Sequence, residues 1–187
     1  MKQIIFLAFR IREEEIVSEL EAIQKKLQNL NGKAHITWSK SRAFHVTLEF
    51  IGEIDESEVE KVKEITLNIA NKYHKFKCWL DRLDGFPNQT HAKIINMRVE
   101  EEGRIVESLQ KDLVFALKEN KLVKEVEPWK AHITLGRNAG EHRVLGFDTI
   151  SFEKKIFEVS AIEVIKSDIR FGGGNYTVLG SYELKNN

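Results

Sequence analysis

Phe44-His45-Val46-Thr47-Leu48-Glu49-Phe50 decides how this chain is read. Taken as a strand it has two faces, because successive side chains on extended backbone point opposite ways. Phe44, Val46, Leu48 and Phe50 are expected to face a core, and His45, Thr47 and Glu49 the other side. Such a strand holds an imidazole and a hydroxyl side by side on packed backing. The phrase returns as His132-Ile133-Thr134-Leu135, with Ala131, Ile133 and Leu135 on the apolar side. Composition predicts only about 0.04 His-[Val/Ile]-Thr triplets by chance, and the chain has three. The third, in Lys33-Ala34-His35-Ile36-Thr37, repeats Lys130 to Thr134 residue for residue. Three candidates therefore compete for two places.

The 187 residues, 42% apolar and 31% charged, suffice for one domain spanning 1–187, or two intimately packed lobes. Lys and Arg number 29 against 29 Asp and Glu, so no global field marks a polyanion partner and any phosphate binding must be local. Cys78 is the single cysteine, which excludes a disulfide framework, a Cys-x-x-Cys redox pair and a cysteine-rich zinc site. Ile4 to Phe9 is too short for a secretory leader core and runs at once into Arg10 and Arg12. No apolar run approaches membrane-spanning length. The expectation is a soluble, cytoplasmic monomer with no membrane partner.

Along the chain, Gln3 to Phe9 is a continuous apolar run that reads as a buried strand. Ile16, Leu20, Ile23, Leu27 and Leu30 follow at helical spacing, with Glu13 to Glu15 at the start and Asn31-Gly32 as the stop. Lys33 to Trp38 alternates as a strand, and the His45 strand is expected to end at Ile51-Gly52. Ser57 to Glu60 reads as a capping box ahead of a helix carrying Val59, Val62, Ile65, Ile69 and Tyr73. Lys75 to Leu83 and Ala92 to Val99 read as strands around Gly85-Phe86-Pro87-Asn88. A third helix runs through Ile105, Leu109, Leu113, Ala116 and Leu117 into the His132 strand. The remainder reads as strands at Ser151–Phe152, Phe157 to Lys166 and Tyr176 to Leu184, with Gly172-Gly173-Gly174 turning between the last two. This order is neither a βα alternation nor all-β, so the fold class is α+β. A helix followed by a His-x-Thr strand in each half points to an internal duplication, two similar lobes facing each other.

These motifs resemble the two-histidine (2H) phosphoesterase superfamily, and within it the RNA 2′,3′-cyclic phosphodiesterases, also called 2′-5′ RNA ligases. Ile4 to Phe9 resembles the opening strand, Phe44 to Glu53 the first motif, and Lys130-Ala131-His132-Ile133-Thr134-Leu135-Gly136-Arg137 the second with its terminal arginine. Gly85-Phe86-Pro87 resembles a family turn, and Lys166-Ser167 with Gly174-Asn175-Tyr176 the closing strand pair. Two features depart from the pattern: Ala131 stands where the family often has proline, and Asn138 to Gly146 is compact. The resemblance implies a bilobal fold with a pseudo-two-fold axis, two antiparallel sheets facing a central cleft and helices outside. It also implies metal-independent hydrolysis of 2′,3′-cyclic phosphate ends to 2′-phosphates, with reversible, ATP-independent 2′-5′ joining.

The residues supply matching chemistry. Opening a cyclic phosphodiester with water needs a base, an acid and donors for the phosphoryl oxygens, and imidazole serves both proton roles near neutrality. His45 and His132 are the candidate acid and base, with their order open. Thr47 and Thr134 are the candidate hydroxyl donors. Arg137 is a third substrate contact on the strength of the resemblance; strict alternation puts it opposite His132 unless Gly136 lets the backbone turn it back. His74, His91 and His142 read as ordinary surface or structural histidines, and His35 as a decoy that a hairpin can still bring near His45. Glu49 reads as a solvated strand residue. Phe9, Trp38, Phe86 and Tyr176 are candidates to stack a base. Gly172 to Gly174 lacks the Lys-Ser/Thr of a phosphate-binding loop, and no zinc-ligand cluster or cofactor motif appears. Substrates are expected to be RNA ends or small cyclic nucleotides. Two alternatives stand: an enzyme for a small cyclic nucleotide or ADP-ribose cyclic phosphate, and a non-catalytic RNA- or nucleotide-binding module.

Overall fold

A computed structural model describes residues 2–124, 128–140, 142–168 and 175–186. The strands are β1 (Lys2–Arg10), β2 (Ile36–Trp38), β3 (His45–Asp55), β4 (Phe76–Phe86), β5 (Ile94–Glu101), β6 (His132–Asn138), β7 (Ile156–Val159), β8 (Ala161–Asp168) and β9 (Asn175–Glu183). The helices are α1 (Glu14–Leu30), α2 (Glu56–Ala70) and α3 (Ile105–Glu119). The α+β class holds.

The strands form one antiparallel sheet in the order β7-β4-β5-β6-β3-β1-β8-β9, with β2 added on β6. Where two sheets were expected, two four-stranded halves meet at a seam. Its only paired residues among those described are Val46 on β3 and Ile133 on β6. The histidine strands are therefore neighbours at the middle of the sheet. All three helices cover one face, where Leu20, Leu48, Leu80, Leu109, Ile133 and Val164 belong to a single buried cluster. Deleting such a side chain costs about 2–5 kcal/mol. The opposite face carries a much smaller apolar patch of Phe6, Ala8 and Ile165, backed by Tyr176 and Val178. β1 is thus a buried strand, as its unbroken apolar run predicts, and is covered on both faces.

α1 begins and ends where its sequence says, with Glu13 as N-cap and Asn31 as C-cap. The start of α2 differs. Asp55 caps the helix and Glu58 returns the bond, its Oε2 accepting from the Asp55 amide at 2.9 Å, so the capping box lies two residues before Ser57. The carboxylate of Asp55 is the acceptor nearer the strand end, and β3 runs on to meet it. α2 stops at Ala70, leaving Tyr73 beyond it. Only Ile36–Trp38 of the Lys33–Trp38 stretch pairs, and Ser151–Phe152 is not a strand. The turn read at Gly172 to Gly174 lies outside the described residues.

Phe50 needs the largest correction. It is 59% exposed and does not join the core. Between Leu7–Glu49 and Ala8–Thr47 the β1–β3 register skips Leu48, so two residues on β3 oppose one on β1. A bulge of this kind inverts the face pattern beyond it, and Phe50 pairs with Phe6 on the side away from the helices.

Candidate active site

His45, Thr47, His132 and Thr134 all lie on the helix-free face of the sheet, on the two strands that meet at the seam. Val46 and Ile133, between each His and Thr, are fully buried on the other side. Both imidazoles are anchored the same way. His45 Nδ1 lies 2.7 Å from the Ala43 carbonyl oxygen and His132 Nδ1 lies 2.8 Å from that of Lys130, two residues upstream in each case. A carbonyl only accepts, so each Nδ1 carries a proton and donates it. The Nε2 of each neutral ring is then left with its lone pair. His45 Nε2 uses it to accept from the Thr47 hydroxyl at 3.1 Å.

Arg137 joins them through a second bulge. The β5–β6 ladder pairs Ile95 with Gly136 and Asn96 with Thr134, skipping Leu135. That extra residue returns Arg137 to the face of His132 and Thr134, paired with Ile94. Its charge bears on His45, His132 and Tyr176. Glycine at 136 has a separate reason: a Cβ there would come within 3.0 Å of both the Ile36 and Trp38 side chains.

Burial is the main force on both rings. It lowers the His45 pKa from 6.5 to about 4; the Ala43 carbonyl opposes the shift, while the charges of His132, Arg137 and Arg10 add to it. It lowers that of His132 as well, opposed by the Lys130 carbonyl and helped by Arg98 and Arg137. Both rings are neutral in the unliganded protein at pH 7. The aromatic surroundings differ. Phe6 and Tyr176 sit 5.1 and 5.3 Å from the His45 ring, the tyrosine edge-on. Among the described residues, Phe86 is edge-on to His132, at 4.9 Å. Of the stacking candidates, Phe9 is core and Trp38 packs against it, which leaves Phe86 and Tyr176 beside the histidines.

Two cavities of 630 and 680 Å³ adjoin His132 and share Pro128 and Trp129 in their lining. The first holds Thr47, Phe50, Lys121 and Lys124; the second holds Asp84, Phe86, Asn88 and Lys130; His132 borders both. Trp129 Nε1 donates to the Thr47 carbonyl at 2.9 Å, tying the approach to the second motif onto the first.

His35 is elsewhere. It is exposed, its carbonyl accepts from the Ala139 amide at 3.0 Å, and Thr37 on β2 pairs with Arg137 rather than with a histidine. β2 adds to the far end of β6, so the identical pentapeptide lies outside the pair.

Charged neighbours escaped the sequence reading. Arg10 pairs in register with His45, and Arg98 with His132. Arg10 Nε donates to Glu163 Oε2 at 2.5 Å, and Arg12 bonds the other carboxylate oxygen. Arg98 is 5% exposed and Asn96 0% exposed; among the described residues Arg98 Nε and Nη1 and both amide atoms of Asn96 have no hydrogen-bond partner. A signal existed: in Ile95-Asn96-Met97-Arg98-Val99 the polar residues alternate with the apolar ones, a core strand with a polar other face. Among the described residues no group of three or more His, Cys, Asp or Glu could hold a metal ion, and no helix is long and apolar enough to cross a membrane.

Residues 11–95 match the family described as LigT like Phosphoesterase. An RNA 2′,3′-cyclic phosphodiesterase of Archaeoglobus fulgidus is 26% identical over 117 residues, 63% of this chain and 64% of that protein, just under two thirds of its length. One of Methanocaldococcus jannaschii is 28% identical over 190 positions, covering 94% of this chain and 97% of the relative. A crystal structure of a Thermus thermophilus protein superposes with a TM-score of 0.83 at 24% identity, covering 98% of this chain and 99% of that one. That likeness carries the curled antiparallel sheet and its three helices.

Proposed function

We propose that the chain is a LigT-like, two-histidine phosphoesterase and that it hydrolyses RNA 2′,3′-cyclic phosphate ends to 2′-phosphates; the match of residues 11–95 to that family supports the reading. The observation that carries this reading is the matched anchoring of His45 and His132, each with Nδ1 tied to a backbone carbonyl and Nε2 left for proton transfer. His45, whose lowering to about 4 keeps it unprotonated, is the base that takes a proton from the attacking water. His132, the less enclosed ring, takes up a proton at Nε2 when the anionic substrate binds and is the acid. Water adds to phosphorus, the bond to the 3′-oxygen breaks, and His132 delivers its proton to that oxygen. Thr47, Thr134 and Arg137 donate to the non-bridging oxygens as charge builds on them. No step draws on a metal or cofactor. Joining uses the same groups when a 5′-hydroxyl takes the place of water: its oxygen bonds to phosphorus, its proton goes to His45, the 3′-oxygen leaves with the proton of His132, and a 2′-5′ linkage remains.

The same reading takes 1–187 as one domain, a cytoplasmic monomer. Its pseudo-two-fold relation sets β1-α1-β3 against β5-α3-β6, each a strand, a helix and a histidine strand returning beside the first. The bilobal description corresponds to the two half-sheets, with the seam as the cleft floor.

The test is an EDTA-treated assay on oligoribonucleotides ending in 2′,3′-cyclic phosphate, on free 2′,3′-cyclic nucleotides and on ADP-ribose cyclic phosphate, with phosphorus NMR of the product. A terminal 2′-phosphate from the oligonucleotide is expected. A preference for the small substrates by a hundredfold or more would move the chain to that branch. Binding without turnover would make it a recognition module. Activity that needs an added divalent ion would overturn the mechanism.

A further inference from the structure

The face that bears the histidines is built of cross-strand rows, and the rows of the two halves correspond. In the first half Arg10 pairs with His45, and Glu163, Ala8 and Thr47 lie abreast on β8, β1 and β3. In the second, Arg98 pairs with His132, and Asp84, Asn96 and Thr134 lie abreast on β4, β5 and β6. Arginine thus answers arginine and carboxylate answers carboxylate, but the bonding does not correspond. Glu163 is spent on Arg10 and Arg12. Asp84 instead accepts the Gly85 amide through Oδ1 at 2.8 Å and reaches Arg98 only as a distant charge, as do Asp81 and Glu100. Where the first half has Ala8, the second has Asn96, a side chain with two hydrogen-bonding atoms that meet no partner among the described residues.

An enclosed guanidinium without a hydrogen-bonded anion is among the costlier things a fold can keep. Its neighbours do not relieve it. Arg82 adds another positive charge, and the three carboxylates act across space without a bond. The core does not need it either, since Ile95, Met97 and Val99 fill the other face of β5. The need is for an anion on the cleft side. Side chains directly opposite on antiparallel strands stand about 4.5–5.5 Å apart at Cβ, so a group bound at the His132 imidazole is within the span of the Arg98 side chain. A guanidinium presents its donors in a planar fork matched to phosphate oxygens.

We propose that Arg98, with Asn96 beside it, is a phosphate-binding pair on the histidine-bearing face of β5 that grips a non-bridging oxygen of the substrate's phosphoryl group next to His132. This rests on the phosphodiesterase reading for the identity of the phosphoryl group, though not for the presence of an anion site. It also explains how the His132 half can work. Once a phosphate oxygen answers its charge, Arg98 no longer opposes a proton on His132, and the acid is armed by the substrate it will protonate.

The experiment measures binding of adenosine 2′-monophosphate and of inorganic phosphate by titration calorimetry, alongside kinetics, for the full chain and for Arg98→Met, Arg98→Lys and Asn96→Leu, with circular dichroism to verify folding. Arg98→Met is expected to weaken adenosine 2′-monophosphate binding at least tenfold, raising KM and lowering kcat together. Arg98→Lys, which keeps charge but loses the fork, should weaken it about three- to tenfold, and it stands in if the methionine variant does not fold. Asn96→Leu should weaken it about threefold. Binding within twofold of the parent in Arg98→Met, or in Arg98→Lys should that alone fold, overturns the proposal; so does a parent chain that binds neither probe. If the parent binds the probes through Arg98 but leaves cyclic phosphates intact, the inference stands and the substrate reading falls. If the parent hydrolyses them and the arginine variants match it, the reverse holds.

Discussion

The two histidine strands share a motif and an anchoring bond, yet their surroundings differ in nearly every other respect. The His45 half is closed: two aromatic rings press on the imidazole, its Nε2 is already bonded to Thr47, and its arginine is neutralised by Glu163. Among the described residues, the His132 half borders two cavities, has one aromatic ring packed on the imidazole, and gives its arginine no hydrogen-bonded anion. A shared motif geometry with unequal electrostatics suits the proposed division into acid and base, because it favours opposite protonation states for the two rings. The closed half suits a ring that must stay neutral. The open half suits one whose charge is set by what binds.

Removing either imidazole breaks the pair most severely. His45→Ala and His132→Ala should each lower single-turnover rates by about three orders of magnitude or more, and the double variant should be little worse than either single one, because one concerted proton transfer needs both. Equal loss with full additivity would mean the halves act independently.

The threonines sharpen the contrast. Thr47→Val and Thr134→Val should each cost about ten- to a thousandfold in kcat. Only Thr47→Val should also move the pH limb belonging to His45, because only Thr47 bonds its ring in the resting protein. Identical pH profiles in both variants would remove that distinction.

Glu163→Gln makes the first half resemble the second by leaving Arg10 unanswered. Glu163 is buried, while Arg10 is partly and Arg12 largely exposed, so the loss is discounted from the full value of a buried pair to about 2 kcal/mol. Denaturant unfolding at pH 7 measures it, and a change below about 0.5 kcal/mol would mean the pair is held for geometry alone.

Acid should act through His45. Its folded pKa of about 4 lies below its ordinary 6.5, so the unfolded chain binds the extra proton in that window. The contribution is fully present above pH 6.5 and is lost as pH falls toward 4. Urea unfolding at pH 7 and 4.5 should show this slope, and His45→Gln should flatten it. By the same shifts the kcat/KM profile should be displaced to the acid side of neutrality, with its lower limb near pH 4 and its upper limb below 6.5.

His35→Ala should have the smallest effect, leaving turnover within about tenfold and folding intact, as for most exposed substitutions. A dead His35→Ala beside an active His45→Ala would reassign the first motif to the other copy of Lys-Ala-His-Ile-Thr.

Local periodicity and short motifs determined much of this protein. Alternation around His45 and His132 placed both imidazoles and both threonines on one face, because side-chain direction on a strand depends only on position parity. Helix spacing located α1, α2 and α3, and the apolar run of β1 announced a buried strand. Parity fails where the pairing slips. The bulge at Leu48 turned Phe50 out of the core, and the one at Leu135 carried Arg137 onto the cleft face. Neither bulge is written in its own strand, because each is a count of residues against a partner. Tertiary structure also chose between the identical pentapeptides, sending His35 to the end of β6 and His132 to the seam. Only the fold could set Arg98 opposite His132 and Glu163 against Arg10, since partners far apart in the chain are joined by register alone. Charge compensation follows from such pairings, and with it the difference between the two histidines.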